Sequence, residues 1–380
     1  MGLTQSKTEP CLFTYTGSKG QKMYLTVHVD DIFCCASDVD LLAAFKERLV
    51  ELYDLSISAC SSNVYLSVDV ARLPSGALVL SQAQYTKELL IEFDHKDCRG
   101  ANVPAVPGQH LTSEDCPKSE EERAEMRKLP YSRFRELLGK LLYLSLSVRP
   151  DIAYAVNQAA RFAANPGKPH YVALTQTLRY LKAHPRLGLR YGAPTPGVAY
   201  APLHGYTDAS WASCVDTRKG VSGMVFYAWR GPITWAARRR KVIAMSSTEA
   251  EYCACVHAVK ECAYLSRVYK NDFGYDSLKI AAHKDVTEAM FEKGAKPISL
   301  MQDNISCIAI SQNPCMRKAS KHIALKYHYT RAAVREGAVR LVYCPTKEMV
   351  ADIFTKALAR GPFEYLRSKL MHPLPEVPGS

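Results

Sequence analysis

Residues His204-Gly205-Tyr206-Thr207-Asp208-Ala209-Ser210-Trp211 carry the pattern of a strand that ends at an acid. Aromatic and β-branched residues before Asp208 favour a strand, and the small residues after it favour a turn. Sites in open α/β sheets assemble where strands end. Asp208 is therefore a candidate site residue, although a surface acid that begins a turn is the better explanation when Asp208 is taken alone.

Three more acids lie further along the chain, and each has an ordinary structural explanation. Thr248-x-x-Glu251 fits a capping box at a helix start, with Glu249 as a competing acid. Asp303 follows an apolar stretch and fits a cap for the next helix. Asp352 lies among helically spaced apolar residues and fits an exposed helical acid. None of these three acids indicates a site by itself.

The four acids become informative as a set. In chain order they fall on a predicted strand, a helix, a strand-to-helix junction and a late helix. If a fold brings them together, their like charges raise one another's pKa values, and divalent cations relieve the repulsion. Two ions held by such carboxylates catalyse phosphodiester hydrolysis. The set therefore points to a two-metal nuclease site.

Positive charge is concentrated around these acids. The chain has 380 residues and a formal net charge of +12. Residues 198–360 hold 24 Lys and Arg against 14 Asp and Glu, a net charge of +10, so the rest of the chain carries a net charge of only +2. A polyanion would be drawn to this segment. Within it, Arg238-Arg239-Arg240-Lys241 fits phosphate contacts beside the site and a solvated turn equally well.

The predicted elements divide the chain into three regions and a tail. Linkers rich in Pro, Gly and charge are typical of boundaries between packed units. We predict units at 1–104, 105–197 and 198–360, followed by a tail at 361–380. The expected fold class is α/β and α+β, with several domains.

The first unit alternates strands and helices. Strands at 24–29 and 32–36 form a predicted hairpin with Asp30 and Asp31 at its turn. A helix is predicted over 38–52. A second hairpin is predicted from strands at 64–70 and 77–81, which flank Pro74-Ser75-Gly76. The second unit contains about three helices between 131 and 182, because its apolar residues recur at helical spacing.

The third unit has the α/β pattern. Strands are predicted to end at Asp208 and Asp303, with further strands at 223–227 and 339–343. Helices are predicted from Thr248 to Asn271 and over 347–358, and residues 275–297 form a predicted insertion.

Composition excludes several classes of protein. The chain is 47% hydrophobic and 23% charged, as in ordinary globular proteins. No segment approaches the ~20 apolar residues that span a bilayer, so we expect no membrane partner. The thirteen cysteines lack zinc-site spacing and indicate reduced thiols in a cytoplasmic or nuclear compartment.

The third unit resembles the ribonuclease H domain of copia-type LTR retrotransposon polyproteins. The matching segments are Tyr206–Ala212, Asp216–Gly223, Met245–Tyr252, Asp303-Asn304, Lys321-His322-Ile323, Tyr327-His328 and Ala351–Lys356. The resemblance implies a ribonuclease H-like mixed sheet with flanking helices. It also implies that Asp208, Glu251, Asp303 and Asp352 hold two Mg²⁺ ions, with Mn²⁺ as a substitute. These ions cleave the RNA strand of an RNA/DNA hybrid. The pattern Glu-aromatic-x-Ala assigns the metal role to Glu251 rather than Glu249.

The resemblance extends upstream. Val29-Asp30-Asp31 is similar to the aspartate pair of a reverse-transcriptase palm, and Arg149–Ala153 is similar to the helical connection that follows. Polymerases of this family need a third aspartate on an earlier palm strand. We therefore expect a partial palm, with RNA-directed DNA polymerase function only alongside the N-terminal part of the polyprotein. His28 stands where the family usually has Tyr, and Ala324 where it usually has an acid.

Two functions from different classes fit the sequence. One is a nuclease that acts on RNA/DNA hybrids in a retrotransposon particle of the cytoplasm or in the nucleus. The other is an inactive or repurposed remnant that binds nucleic acid without cutting it. Retention of all four acids favours the nuclease.

Overall fold

A computed structural model describes residues 2–53, 64–192, 203–274, 297–312 and 324–374, with backbone only for 324–328. The predicted insertion at 275–297 lies almost wholly outside these ranges, as does the motif Lys321-His322-Ile323. Among the described helices, none combines the length and the apolar character that crossing a bilayer requires.

Within these ranges the strands are β1 (Thr4–Gln5), β2 (Leu12–Thr16), β3 (Lys22–His28), β4 (Asp31–Ala36), β5 (Val64–Tyr65), β6 (Val68–Arg72), β7 (Leu78–Ser81), β8 (Leu187–Tyr191), β9 (His204–Ala209), β10 (Val221–Ala228), β11 (Gly231–Arg239), β12 (Ile298–Gln302), β13 (Val339–Tyr343) and β14 (His372–Pro373). The α-helices there are α1 (Val39–Leu52), α2 (Ala83–Glu92), α3 (Glu120–Met126), α4 (Phe134–Ser147), α5 (Ala153–Ala160), α6 (Lys168–Ala183), α7 (Ser247–Asn271), α8 (Ile305–Gln312), α9 (Ala324–Arg335) and α10 (Arg360–Leu370). The protein is thus mixed α/β.

The first sheet has the order β1-β2-β3-β4 and is antiparallel throughout. Alternate residues of β3, Met23 and Leu25, are buried against Phe45 of α1, as the two-residue period of a strand requires. His28 pairs with Asp31 across the β3–β4 turn. The predicted hairpin with Asp30 and Asp31 at its tip is confirmed.

The second sheet has the order β14-β8-β7-β6-β5. Its strands come from the first two predicted units and from the expected tail, so the unit boundaries remain a prediction. The single strand predicted over 64–70 is wrong. Leu66 and Ser67 adopt left-handed φ values of 51° and 57°, which turn the chain back between β5 and β6.

The expected tail is structured over most of its length. Residues 360–370 form α10, which buries Phe363, Leu366 and Leu370. β14 then pairs with β8, His372 opposite Gly188. The apolar spacing of α10 buries one face of this helix against the rest of the protein.

The third sheet has the order β11-β10-β9-β12-β13 and carries the acids. β10 is antiparallel to β9 and β11, whereas β12 is parallel to β9 and β13. Every residue of β10 is buried. Met224 and Phe226 face α7, whereas Val225 and Tyr227 face a core shared with α4, α5 and α6. The sheet is therefore covered on both faces.

The helix predicted over 347–358 is wrong. Residues 346–348 and 350–354 form two short 3₁₀ turns, separated by Met349 in an extended conformation. All five residues from Val350 to Phe354 are buried. Because this segment is enclosed on every side, it has no solvent-facing stripe of the kind an amphipathic helix presents.

Candidate metal centre

Asp208 lies near the end of β9, the central strand of the third sheet, and is buried. It pairs with Gly223 of β10. A Cβ at Gly223 would lie 2.7 Å from Thr355 Cγ2 and 2.8 Å from the carbonyl oxygen of Ala351. The glycine therefore lets the 350–354 turn pack directly on the sheet. This packing brings Thr355 within reach of Asp208, and its hydroxyl donates a hydrogen bond to Asp208 Oδ2.

Glu251 lies in the second turn of α7 and is buried. The capping box predicted from Thr248 is wrong, because Ser246 is the N-cap and accepts a hydrogen bond from the amide of Glu249 at 3.1 Å. The Glu249 carboxylate in turn accepts from the amide of Met245 at 2.7 Å. Glu249 therefore serves the helix start, and Glu251 is left to point at the sheet. Gln302 Nε2 donates to Glu251 at 3.4 Å.

Asp303 follows β12 directly and is half-buried. The cap of α8 is not Asp303 but Asn304, whose Oδ1 accepts from the amide of Cys307 at 2.8 Å. The carboxylate of Asp303 instead accepts a hydrogen bond from Thr346 Oγ1 at 2.9 Å. Parallel strands β9 and β12 lie side by side, so their ends bring Asp303 next to Asp208.

Asp208, Glu251 and Asp303 form one cluster, in which one carboxylate oxygen of each lies within 4.8 Å of the other two. Burial, followed by the charges of Asp208 and Asp303, raises the pKa of Glu251 to about 9. Burial also raises the pKa of Asp303. Crowded carboxylates with raised pKa values favour a bound cation, and three hard oxygen ligands suit Mg²⁺ or Mn²⁺. This donor set therefore fits the divalent cation that the sequence predicts.

Asp352 lies beside the cluster and has a different partner. Its carboxylate is buried and forms an ion pair with Lys356, Nζ to Oδ1 at 2.9 Å. Burial and the neighbouring Asp208 raise the pKa of Asp352 to about 7, although Lys356 opposes the shift. Burial alone would lower the pKa of Lys356, but Asp352, Asp208 and Asp303 raise it. Lys356 was not among the predicted site residues, although its i,i+4 spacing from Asp352 on the predicted helix indicates such a pair.

The basic run after Trp235 divides into exposed and buried residues. Arg238 and Arg239 end β11 and are exposed, as is Lys241 in the loop that leads to α7. Arg240 is buried, and its Nη2 donates to the carbonyl oxygen of Ser210 at 2.8 Å. Of the two interpretations of this basic run, the solvated turn fits the exposed residues but does not fit the buried Arg240. Arg240 ties the segment that follows Asp208 to the end of β11.

The predicted polymerase pair lies elsewhere. Asp30 and Asp31 are exposed at the tip of the β3–β4 hairpin in the first sheet. They are not part of the three-acid cluster formed in the third sheet. The structure therefore separates two acidic sites that the sequence marks with similar residues.

Comparison with known proteins identifies the family. A family model described as reverse transcriptase (RNA-dependent DNA polymerase) matches residues 1–107. The Retrovirus-related Pol polyprotein from transposon TNT 1-94 of Nicotiana tabacum is 31% identical over 357 residues, 94% of this chain and 25% of that protein. The one from transposon RE1 of Arabidopsis thaliana is 29% identical over 372 residues, 97% of this chain and 23% of that protein. The chain belongs to the copia-type retrotransposon Pol family.

The family resemblance seen in the sequence is thereby confirmed. The chain spans about a quarter of the length of these two Pol polyproteins. A solved structure of ribonuclease H1 from Halobacterium salinarum NRC-1 aligns with 43% of this chain and 99% of that chain, with a TM-score of 0.27 and 16% identity.

Proposed function

We propose that the third sheet and its helices form a ribonuclease H-like nuclease that hydrolyses the RNA strand of RNA/DNA hybrids. The observation that carries this proposal is the convergence of Asp208, Glu251 and Asp303 within 4.8 Å on a strand end, a helix and a second strand end. The excess of positive charge in residues 198–360 supports a polyanionic substrate.

The side chains around the cluster have separable roles. Asp208, Glu251 and Asp303 hold the cation, and Asp352 adds a fourth carboxylate beside Asp208. Bound Mg²⁺ supplies Lewis acidity and lowers the pKa of a bound water. Thr355 fixes the carboxylate of Asp208 by its hydrogen bond. Hybrid recognition rests on backbone shape and 2′-hydroxyls rather than on base edges, and exposed Arg238 and Arg239 are placed to contact phosphates.

Cleavage of a labelled RNA/DNA hybrid tests the proposal. With Mg²⁺ or Mn²⁺ the full chain should cut the RNA strand, whereas Asp208→Asn and Asp303→Asn should reduce the rate at least a hundredfold, because they remove cation ligands. Glu249→Gln is the matched control, since it lies two residues from Glu251 and serves the helix cap. Equal activity of Asp208→Asn and the wild type would refute the nuclease. Hybrid binding without any cleavage would favour the inactive remnant.

A polymerase role for the first region is a second proposal, carried by the reverse-transcriptase match over residues 1–107. Asp30 and Asp31 would act there together with the preceding part of a Pol polyprotein. Fusion of that part to this chain should give primer extension on an RNA template, and Asp30→Asn with Asp31→Asn should abolish it. Extension that survives both substitutions would refute the role.

A further inference from the structure

A cavity of about 200 Å³ lies between the middle helices and the acid-bearing sheet. Four parts of the chain line it: residues 104–111, helices α5 and α6 with Arg161 after α5, the loop residues Ser213 and Val215, and the segment Thr355–Ala357. We propose that this cavity binds one phosphate-bearing nucleotide unit of the strand that enters the metal centre. The inference rests on the proposed nuclease function and adds a binding subsite to it.

The position of the cavity relates it to the acids. Thr355 and Lys356 line the cavity, and the same two residues hold the site: Thr355 donates to Asp208, and Lys356 pairs with Asp352. An occupant of the cavity therefore lies one side chain away from the cluster. Ligand pockets usually have volumes of ~300–1,000 Å³. This smaller cavity suits a single sugar-phosphate or base, not a longer ligand.

Two side chains of the cavity wall, Arg161 and Gln158, each have a donor atom without an acceptor. The Arg161 side chain is 8% exposed, and its Nη2 lies 2.8 Å from Cys214 Sγ and 3.3 Å from Asp216 Oδ2. Its Nη1 donates to Gln158 Oε1 at 3.0 Å. Among the described atoms, Arg161 Nε and Gln158 Nε2 have no partner. Buried donors are almost always satisfied, so these two atoms favour a ligand whose acceptor oxygens the side chains turn to meet.

The charge of the wall favours an anion. Arg161, Lys356 and His110 line the cavity, and no Asp or Glu is found among its described lining residues. Arg161 pairs with Asp216 and Lys356 with Asp352, but both acids lie outside the lining, and each cation has further N–H donors for an anion. Tyr154 adds an aromatic face on which a base or sugar can pack. Phosphate with an attached sugar or base combines the two properties.

The salt dependence of hybrid binding tests the inference. Ala173 of α6 lines the cavity, and Ala173→Leu fills the space without changing a charge. Gln158→Leu removes one unpartnered donor. Ala124→Leu on exposed α3 is the matched control. Affinity of the full chain for a fluorescent RNA/DNA hybrid is measured without divalent metal at several salt concentrations. Thermal unfolding of each variant checks the fold.

Loss of one phosphate contact lowers the slope of log affinity against log salt by about one. We expect this decrease, with about tenfold weaker binding at low salt, for Ala173→Leu but not for Ala124→Leu. Gln158→Leu removes an uncharged donor and should weaken binding without changing the slope. An unchanged slope for Ala173→Leu, or unchanged affinity of both cavity variants, would overturn the inference. Titration with adenosine 5′-monophosphate and with inorganic phosphate distinguishes binding of a free nucleotide or phosphate from binding of a strand. If Ala173→Leu loses nucleotide binding while its hybrid slope is unchanged, the site takes free nucleotides and the strand assignment is overturned.

The same measurements separate this inference from the nuclease proposal. Binding slopes are recorded without metal and do not depend on cleavage. A wild type that binds hybrid but never cuts it refutes the nuclease, while the slopes still decide the cavity. If the wild type cuts hybrid while both cavity variants have the same affinity and salt slope as Ala124→Leu, the cavity is not a binding subsite and the nuclease proposal stands.

Discussion

Thr355 donates its hydroxyl hydrogen bond to Asp208 Oδ2, although 147 residues separate the two in sequence. Both residues are buried, and Thr355 also bonds the carbonyl oxygen of Asp352 at 3.2 Å. One side chain thereby links the central strand of the sheet to the turn that carries the fourth acid. The geometry of the cluster depends on this link.

Thr355→Val should lower the rate of hybrid cleavage while the protein stays folded. The substitution keeps the shape of the side chain but leaves Asp208 without its fixed donor. A hydrogen bond to a charged group contributes about 1.5–3 kcal/mol, which corresponds to roughly 10- to 150-fold in rate. Thr355→Ser keeps the hydroxyl and should retain most of the activity. Equal rates for Thr355→Val and Thr355→Ser would show that the hydrogen bond has no role in positioning Asp208.

The metal-free protein should lose stability as pH rises, and Glu251 should account for much of the loss. Its pKa is raised from the ordinary value of 4.5 to about 9 in the folded state. Between these values the folded protein retains a proton that the unfolded chain has released, so rising pH favours unfolding. With chelator present, the denaturant concentration at half-unfolding should be lower at pH 8 than at pH 5. In Glu251→Gln this midpoint should depend less on pH.

Mg²⁺ should reverse this loss at pH 8, because a bound cation replaces the proton. The expected shift of the melting temperature with millimolar Mg²⁺ is several degrees for the wild type and for Glu249→Gln. For Glu251→Gln it should be much smaller. An identical Mg²⁺ shift in all three proteins would place the cation elsewhere.

Much of this arrangement follows from sequence pattern. The aromatic and β-branched residues before Asp208 and the apolar stretch before Asp303 correctly predicted two strand ends. Of the four acids that the sequence groups, Asp208, Glu251 and Asp303 converge. Local patterns were less informative about competing roles. Thr248-x-x-Glu251 and Ser246-x-x-Glu249 both fit a capping box, and only the true helix start distinguishes them.

Other features depend on tertiary packing and could not be predicted. The chain reversal at Leu66 and Ser67 lacks the Gly or Asn that usually marks left-handed residues. The second sheet joins β7 to β8 across more than one hundred residues, a pairing that no local pattern specifies. The cavity exists only because separate regions of the chain meet.

Gly220→Ala should destabilise the protein. A Cβ at Gly220 would lie 1.8 Å from the carbonyl oxygen of Ser210 and 2.2 Å from Arg240 Nη2. The backbone after Asp208 would have to move, and such overpacking costs about 1–3 kcal/mol. Gly139→Ala is the contrasting control, because no described atom beyond its own stretch of α4 lies within 4 Å of the added Cβ, and α4 gains about 0.5–1 kcal/mol of helix propensity. Denaturant midpoints should move in opposite directions, and a stabilised Gly220→Ala would refute the packing.

Asp151→Asn should destabilise the middle helices strongly. Arg149 and Asp151 are fully buried and form two hydrogen bonds, at 3.0 and 2.8 Å, and Tyr180 donates to Asp151 at 2.6 Å. Removing one partner leaves an uncompensated buried charge, which costs about 3–5 kcal/mol. Glu51→Gln breaks the exposed pair with Arg48 and should leave the midpoint almost unchanged. Similar midpoints for the two variants would contradict the assigned role of the buried pair.

Lys356→Met should tighten divalent-cation binding even if it slows cleavage. The ammonium group of Lys356 neutralises Asp352 and acts on Asp208 and Asp303, so it competes with a cation for the same charges. Its removal should strengthen attraction by at least about 1 kcal/mol, or roughly fivefold in affinity. Mn²⁺ titration by calorimetry measures this directly, with Lys347→Met, on the neighbouring turn, as the control. Weaker Mn²⁺ binding by Lys356→Met than by the control would show that Lys356 supports the cation instead of competing with it.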